Sequence, residues 1–328
     1  MRLKRRGNGR GGRDRVRVIF ATDLHGSEAV FRKFLNAVTV YEATVAILGG
    51  DLTGKRIVPV VEDPEGSFAA EFNGREFRAD TDAELDALRH RIRDAGQYPV
   101  TVSAAQYQEL LTDDDALHQA FLEACLFQVQ DWMARAAERL EPLGVPLYVT
   151  GGNDDYLEIE PVLEDAPYVV NAEGRVVTLT GGVDMISTGY GNPTPWKCPR
   201  DVTEEQLASR IEAMATQLTD QRHAVFNLHV PPYGSGLDLC PRLDTSTDPP
   251  RPIVGETGPA GSSAVREALA RFHPMLSLHG HIHESPGIRD LGGTTAVNPG
   301  SEYGEGVLHS AIIDLSDAAV LSSQLLTA

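Results

Sequence analysis

Apolar and polar positions along the chain fall into a repeating strand, turn and helix rhythm. The run Val16–Ala21 is β-branched and apolar, as a buried strand would be, and it ends in a polar turn over 22–26. Apolar positions at helical spacing follow (Val30, Phe34, Leu35, Val38), and Ser27 is placed as the N-cap of a helix over 27–41. A second apolar run, 44–48, stops at Gly49-Gly50-Asp51. Strand, helix and strand joined by short polar turns make a βαβ unit, so the pattern predicts an α/β fold. In such sheets ligands collect at the carboxyl ends of the strands, where Asp23, His25 and Asp51 fall.

Residues 55–115 break the rhythm. A hairpin-like stretch (56–61, 68–72 and Phe77) surrounds turn signals at Asp63-Pro64 and Asn73-Gly74, and helices are predicted near 82–95 and 104–111. Fourteen acids against five bases over 62–115 leave apolar content that looks too thin for a core. The segment is therefore read as an α/β insertion beside the sheet, and its place directly after Asp51 predicts that it roofs the site. A long helix over 113–140 follows, its stripe (Leu117, Phe121, Leu126, Val129, Met133, Leu140) assigned to core packing.

Strands predicted at 145–149, 168–180 and 184–189 and a helix at 203–219 come next. A strand over 224–228 delivers His229. Beyond a Pro- and Gly-rich loop (231–261) and a helix (262–272), a strand over 275–278 delivers His279, His281 and His283. Strands over 307–314 and 318–325 close the chain, which shows no internal repeat.

Composition narrows the class. The 328 residues are 41% hydrophobic and 23% charged, which excludes a wholly disordered chain. No apolar run approaches the roughly 20 residues of a membrane helix, so a membrane role is not expected. A net charge of −18 argues against general nucleic-acid binding, which needs clustered Lys and Arg. That charge is uneven: residues 1–17 hold eight basic groups and one acid. Residues 1–15 are read as a flexible basic tail without the apolar stretch of a secretory signal, and as the only place where nucleic acid could bind. Residues 16–328 form the expected domain. Three scattered cysteines (Cys125, Cys198, Cys240) make neither a disulfide framework nor a thiolate zinc site and suit a cytoplasmic, reducing compartment.

Five polar fragments sit immediately after strands: Asp23-Leu-His25, Gly50-Asp51, Gly152-Asn-Asp-Asp155, His229 and Gly280-His-Ile-His283. Groups separated by one residue in extended backbone project to the same side, so Asp23 with His25, and His281 with His283, converge. Asp23, His25, Asp51, Asn153, His229, His281 and His283 make seven oxygen or nitrogen donors. A single catalytic ion takes three or four protein ligands and keeps a position open. Seven therefore suit two divalent ions, provided that one carboxylate is shared, and Asp51, alone on its loop, is the natural bridge. Imidazole with carboxylate and amide selects Mn, Fe, Zn or Co, with manganese favoured. Two such ions clamp the attacking and leaving oxygens of a displacement at phosphorus.

In their order, Asp-x-His, Gly-Asp, Gly-Asn-x-Asp, a lone His and Gly-His-x-His resemble the calcineurin-like metallophosphoesterases. The stretches His229-Val-Pro-Pro-Tyr-Gly234, Gly280-His-Ile-His-Glu-Ser285 and Val297-Asn-Pro-Gly300 further resemble a branch of small predicted phosphoesterases of unsettled substrate. The match covers 16–54, 143–157 and 222–315. The resemblance implies a β-sandwich of two mixed sheets flanked by helices. It also implies one ion on Asp23, His25, Asp51 and His283, and a second on Asp51, Asn153, His229 and His281. A metal-activated hydroxide would attack the phosphorus of a small phosphoester, with Asn153, Asp154 and His229 in the catalytic set. One position departs from the pattern: where the family usually has a cationic His after the Asn, this chain has Asp154. Either Asp154 is a protonated acid or it turns away, and its charge points to phosphodiesters over monoesters. The rival reading is a metal-containing binding or regulatory protein with little turnover. Glu284 and Asp155 are candidates for orienting the ligand imidazoles, Trp196 for loop packing, and His279 for packing behind the ligands.

Overall fold

The structure, a computed structural model, describes residues 15–247 and 249–328, so residues 1–14 of the expected basic tail lie outside it. Val16–Ala21 shows how the chain builds its layers. Val16, Val18 and Phe20 point to one side, into a cluster with Val45, Ile47, Met185, Val225, Leu276 and Val297. Ile19 and Ala21 point to the other, against Phe31, Phe34, Leu35, Trp132 and Met133 of two helices. A strand buried on both faces cannot alternate apolar with polar, which is why the run is continuously apolar.

Two six-stranded mixed sheets result. The first runs Val320–Thr327, His309–Leu315, Val16–Ala21, Val45–Leu48, Leu147–Val149, Val169–Asn171. The second runs Gly287–Asp290, Thr295–Asn298, Leu276–Leu278, Val225–Leu228, Asp184–Thr188, Val176–Thr178. The central strands of each are parallel and the outermost pairings antiparallel, apart from the parallel edge at Val169–Asn171. The sheets pack face to face, with the helices Glu28–Val40, Asp114–Leu140 and Ile159–Glu164 outside the first. Glu204–Ala215 and Ser263–Phe272 cover the second. This is the expected β-sandwich of two mixed sheets flanked by helices.

Four features differ from the sequence reading. The strand expected over 168–180 is two, Val169–Asn171 at the edge of the first sheet and Val176–Thr178 at the edge of the second. The insertion folds as a four-stranded sheet (Arg75–Ala79, Phe68–Phe72, Ile57–Glu62, Tyr98–Ser103) under the helix Asp82–Asp94. Val58, Val60, Ala70, Phe72, Ala79, Leu85, Leu88 and Ile92 give it a core of its own. Acidic side chains crowd its exposed faces and mask that core in a composition count. The Pro- and Gly-rich stretch is not a plain loop, because Leu239–Asp244 and Arg251–Pro259 pair antiparallel around a register shift between Pro241 and Leu243. Gly287–Asp290 and Thr295–Asn298 were not expected as strands at all; both are four residues long with polar ends.

Candidate metal centre

The carboxyl ends of both sheets meet on one side of the sandwich, and the ligand loops are laced together there by main-chain bonds. Asp23 N–H donates to Gly50 O at 2.9 Å, His25 N–H to Asp51 O at 2.9 Å, and Gly26 N–H to Leu52 O at 2.8 Å. Asp155 fastens the next loop to them. It accepts from Leu52 N–H (3.0 Å), Thr53 N–H (2.9 Å), Thr53 Oγ1 (2.6 Å) and Gly152 N–H (2.7 Å). Asp155 thus orients backbone and no imidazole, and Glu284 is exposed; neither plays the expected supporting role.

Four ligand positions carry left-handed backbone: Asp23 (φ 54°), His25 (41°), Asp51 (51°) and His281 (64°). Each such residue other than glycine costs on the order of 1–3 kcal/mol, and such strain concentrates at functional sites. The neighbouring glycines allow close approach. A Cβ on Gly152 would lie 2.1 Å from Asp51 Oδ1, and one on Gly280 would lie 2.2 Å from Asp23 Oδ2.

All seven expected donors converge here. Asp23, His25 and His283 form one group and Asp51, His229 and His281 another, the ligand atoms of each lying within 4.8 Å of one another. Asp23 Oδ1 is 3.2 Å from His283 Nε2 and 4.0 Å from His25 Nε2. Asp51 Oδ2 stands between the groups, 3.6 Å from His25 Nε2 and 3.4 Å from His229 Nε2. Asn153 Oδ1 lies 2.8 Å from His281 Nδ1. Donors placed around a cation at about 2.0–2.2 Å are spaced at about these separations.

His229 gives the clearest test of fit. Its Nδ1–H donates to Gly49 O at 3.0 Å, while its buried Nε2 has no hydrogen-bond partner. A hydrogen bond on one ring nitrogen that leaves the other bare and aimed at a carboxylate is the arrangement of a metal-ligating imidazole.

The electrostatics agree. Burial, and then the like charge of His229, push His281 down to about 3, which keeps it neutral. Burial likewise holds His25 well below the ordinary histidine range. His229 is raised in spite of burial because Asp51 faces it, and burial raises Asp51 in turn. A divalent cation between that carboxylate and imidazole would take the place of a proton on either. His279 packs behind the ligands, as expected: its Nδ1–H donates to Leu228 O and its Nε2 accepts from Ser277 Oγ, both at 2.7 Å.

No family model matches the sequence. An uncharacterized protein of Methanocaldococcus jannaschii, MJ1162, is 26% identical over 174 residues, 52% of this chain and 69% of its own length. TT1561 of Thermus thermophilus has a similar structure, with TM-score 0.52 at 13% identity over 95% of this chain and 98% of that one. A further solved structure reaches TM-score 0.57 at 15% identity, covering 95% of this chain and 99% of that one. Two packed mixed sheets carry the five motifs, in order, on the strand ends where they meet. The fold is that of these two solved structures, and the motifs it carries are the ones that resemble the calcineurin-like metallophosphoesterases.

In this fold the candidate metal centre opens into a cleft of about 1700 Å³. Lys55, Arg56, Ile57 and the start of the Asp114–Leu140 helix (Leu117, His118, Phe121) form one wall. The 239–259 hairpin and the loop 192–199 form others. Leu117 and Phe121 thus face the cleft and not the core. Of the insertion only residues 55–57 and Asp114, at its two ends, line the cleft, so its body is not the roof. Trp196 is 59% exposed at the rim and not packed into its loop.

Asp154 neither turns away nor stands as a protonated acid. Its Oδ2 pairs with Lys55 Nζ at 2.7 Å and its Oδ1 accepts from the Cys198 thiol at 2.7 Å. Burial would raise its pKa, but Lys55, then His25 and the Cys198 hydrogen bond, hold the carboxyl below its ordinary range. Its N–H donates to Asp51 Oδ1 at 3.0 Å, and its carboxylate joins His25 and Asp51 in a third metal-capable group. Sequence reasoning missed Lys55 and Cys198. Lys55 was visible only as the first charge after Asp51-Leu-Thr-Gly, and nothing local pairs it with a residue 99 positions away.

Proposed function

We propose that the protein is a hydrolase of phosphoester bonds that works with two divalent cations, manganese favoured among Mn, Fe, Zn and Co. The observation that carries this reading is Asp51 Oδ2 between two groups of buried donors, 3.6 Å from a histidine of one and 3.4 Å from a histidine of the other. Bound there, the cations would supply a nucleophile by acidifying water and would offset charge on the phosphoryl oxygens. Asp23, His25 and His283 would hold one and Asp51, Asn153, His229 and His281 the other, with Asp51 shared. Asn153 is held for this by its own Nδ2–H, which donates to Asp201 Oδ1 at 3.4 Å.

Phosphodiesters are the preferred substrates in this reading, on different grounds from Asp154's charge. Lys55 offsets that charge, and it also weakens the case for a binding protein without turnover, which rested on a missing cation. Support for a diester comes from shape: the cleft has walls on both sides of the metal centre, with room for two substituents on phosphorus. The absence of a helix long and apolar enough to cross a membrane among the described residues, and three free cysteines, are compatible with the proposed cytoplasmic location. Contact with nucleic acid is proposed only for the tail, 1–15.

Metal analysis followed by a substrate panel tests the reading. The manganese-loaded protein is expected to hold two ions and to cleave bis-p-nitrophenyl phosphate faster than the monoester. Asp51→Asn should retain fewer than two ions and lose about 10³-fold or more in kcat/KM, the scale on which removing shared catalytic machinery acts. One ion per chain in the wild type, or faster monoester cleavage, would contradict it.

A further inference from the structure

Asp51 and Asp154 line the floor of a cleft proposed to accept an anion, and Asp23 is buried in the adjoining donor group. Two cations there would offset Asp23 and Asp51. Asp154 lies toward the cleft, its side chain 22% exposed, and would repel phosphate if left unpaired. Both of its oxygens are engaged, one by Cys198 and one by Lys55. The lysine is held in place from its own side as well. Leu52, Thr53 and Gly54, the residues before it, donate their N–H groups to Asp155 and to the Tyr98 hydroxyl (Gly54 N to Tyr98 Oη 2.6 Å). The Lys55 side chain is nevertheless 54% exposed and lines the cleft with His25, Asp51 and His283. An ammonium has three N–H donors, and Asp154 takes one.

An ordinary half-exposed ion pair contributes little to stability. Here one partner is mostly buried, hydrogen-bonded on its other oxygen, and tied through its own N–H to a metal-capable carboxylate. The pair is thus built into the site, and its effect is to fix a cation at the cleft floor. We propose that Lys55 is a substrate-binding residue that donates to a non-bridging phosphoryl oxygen, and that Asp154 is the positioning residue that aims it. This rests on the phosphohydrolase reading given above for the acid of the substrate, but its test does not need turnover.

The experiment uses full-length, manganese-loaded wild type, Lys55→Met, Lys55→Arg, Asp154→Asn and the double variant Lys55→Met/Asp154→Asn. Metal content, calorimetric affinity for inorganic phosphate, and kcat/KM on a phosphodiester are measured for each. Lys55→Met should keep its metal, weaken phosphate binding at least tenfold, and lower kcat/KM about 10²-fold, as loss of one oxyanion donor does. Lys55→Arg, which keeps the charge on a longer fork, should recover part of both. Asp154→Asn should keep its metal and lose less than Lys55→Met, and the double variant should be no worse than Lys55→Met alone. A merely structural pair would not move phosphate affinity.

Phosphate binding unchanged in Lys55→Met, or absent from the wild type, overturns the proposal. Metal loss in Asp154→Asn would make that carboxylate a metal ligand and overturn its positioning role. A wild type that binds phosphate through Lys55 yet cleaves no phosphoester would sink the hydrolase reading and leave this one standing. Active wild type with unaltered Lys55→Met would do the reverse.

Discussion

At the scale of single residues, the cluster of candidate donors was readable because each member breaks an apolar strand with a polar group, and a strand end admits few such breaks. What could not be read is any pairing between loops: Lys55 with Asp154, Cys198 with Asp154, or Asp155 with the backbone of 52 and 53. Such contacts depend on how strands distant in sequence are stacked, and no local pattern encodes that. The same holds for the left-handed backbone at Asp23, His25, Asp51 and His281, residue types that tolerate it without requiring it. The Lys55 pairing reverses the expectation for a histidine at 154. Asp154→His would remove the lysine's anchor and set two cations side by side. Activity on a phosphodiester should therefore fall, by about tenfold, and a gain would mean that the present pair disables the site.

His279 gives a prediction about pH. Burial holds it down to about 4, against about 6.5 for a free histidine. Between those values the unfolded chain binds more protons than the folded one, so stability is complete above about pH 6.5 and declines as pH falls toward 4. The loss approaches about 3 kcal/mol at most. His279→Asn should flatten that decline in denaturant unfolding measured across the window, and should also lower stability at neutral pH by about 1–3 kcal/mol for the buried bonds to Leu228 and Ser277. Parallel curves for the two proteins would mean that other groups cause the decline.

At the scale of elements, long apolar runs and capped helices were legible to within a few residues. Ser27 accepts from Val30 N–H as an N-cap should, and Thr203 and Ser262 cap their helices in the same way. The insertion's core and the 239–259 hairpin were hidden for opposite reasons, one by surface acids and the other by prolines and glycines that usually interrupt strands. The hairpin, not the insertion, closes the far side of the cleft. Its outer half is exposed, with Val254 at 97%, and contributes no residue to the hydrophobic core clusters. Replacing residues 242–252 with a two-residue turn should therefore leave the thermal midpoint within about 2 °C, since surface changes cost little. The KM for a bulky diester should rise several-fold while monoester kinetics stay unchanged. If both substrates suffer equally, the hairpin supports the metal centre and does not form a wall of the substrate cleft.

At the scale of the whole molecule, the candidate metal centre is where the sandwich is joined. Asp23, His25, Asp51 and Asn153 follow strands of the first sheet, whereas His229, His281 and His283 follow strands of the second. Two of the three donor groups draw on both: Asp23 and His25 meet His283, and Asp51 meets His229 and His281. A cation in either group would tie one sheet to the other and relieve the repulsion among buried carboxylates. Binding to the folded state alone adds about 2.7 kcal/mol per site at one hundred times Kd. For a chain of this length each kcal/mol moves the midpoint by about 2 °C or more, so stripping both sites should lower it by about 10 °C. His283→Ala, which spoils one group, should lower it by about half as much, and chelator should then produce only the remaining half. Melting that ignores chelator would mean that the apolar core between the sheets and the bond from His281 N–H to Asp23 already hold the sheets in register. The strain at the four left-handed ligand positions would then be carried by the fold itself, with the site formed before any cation arrives.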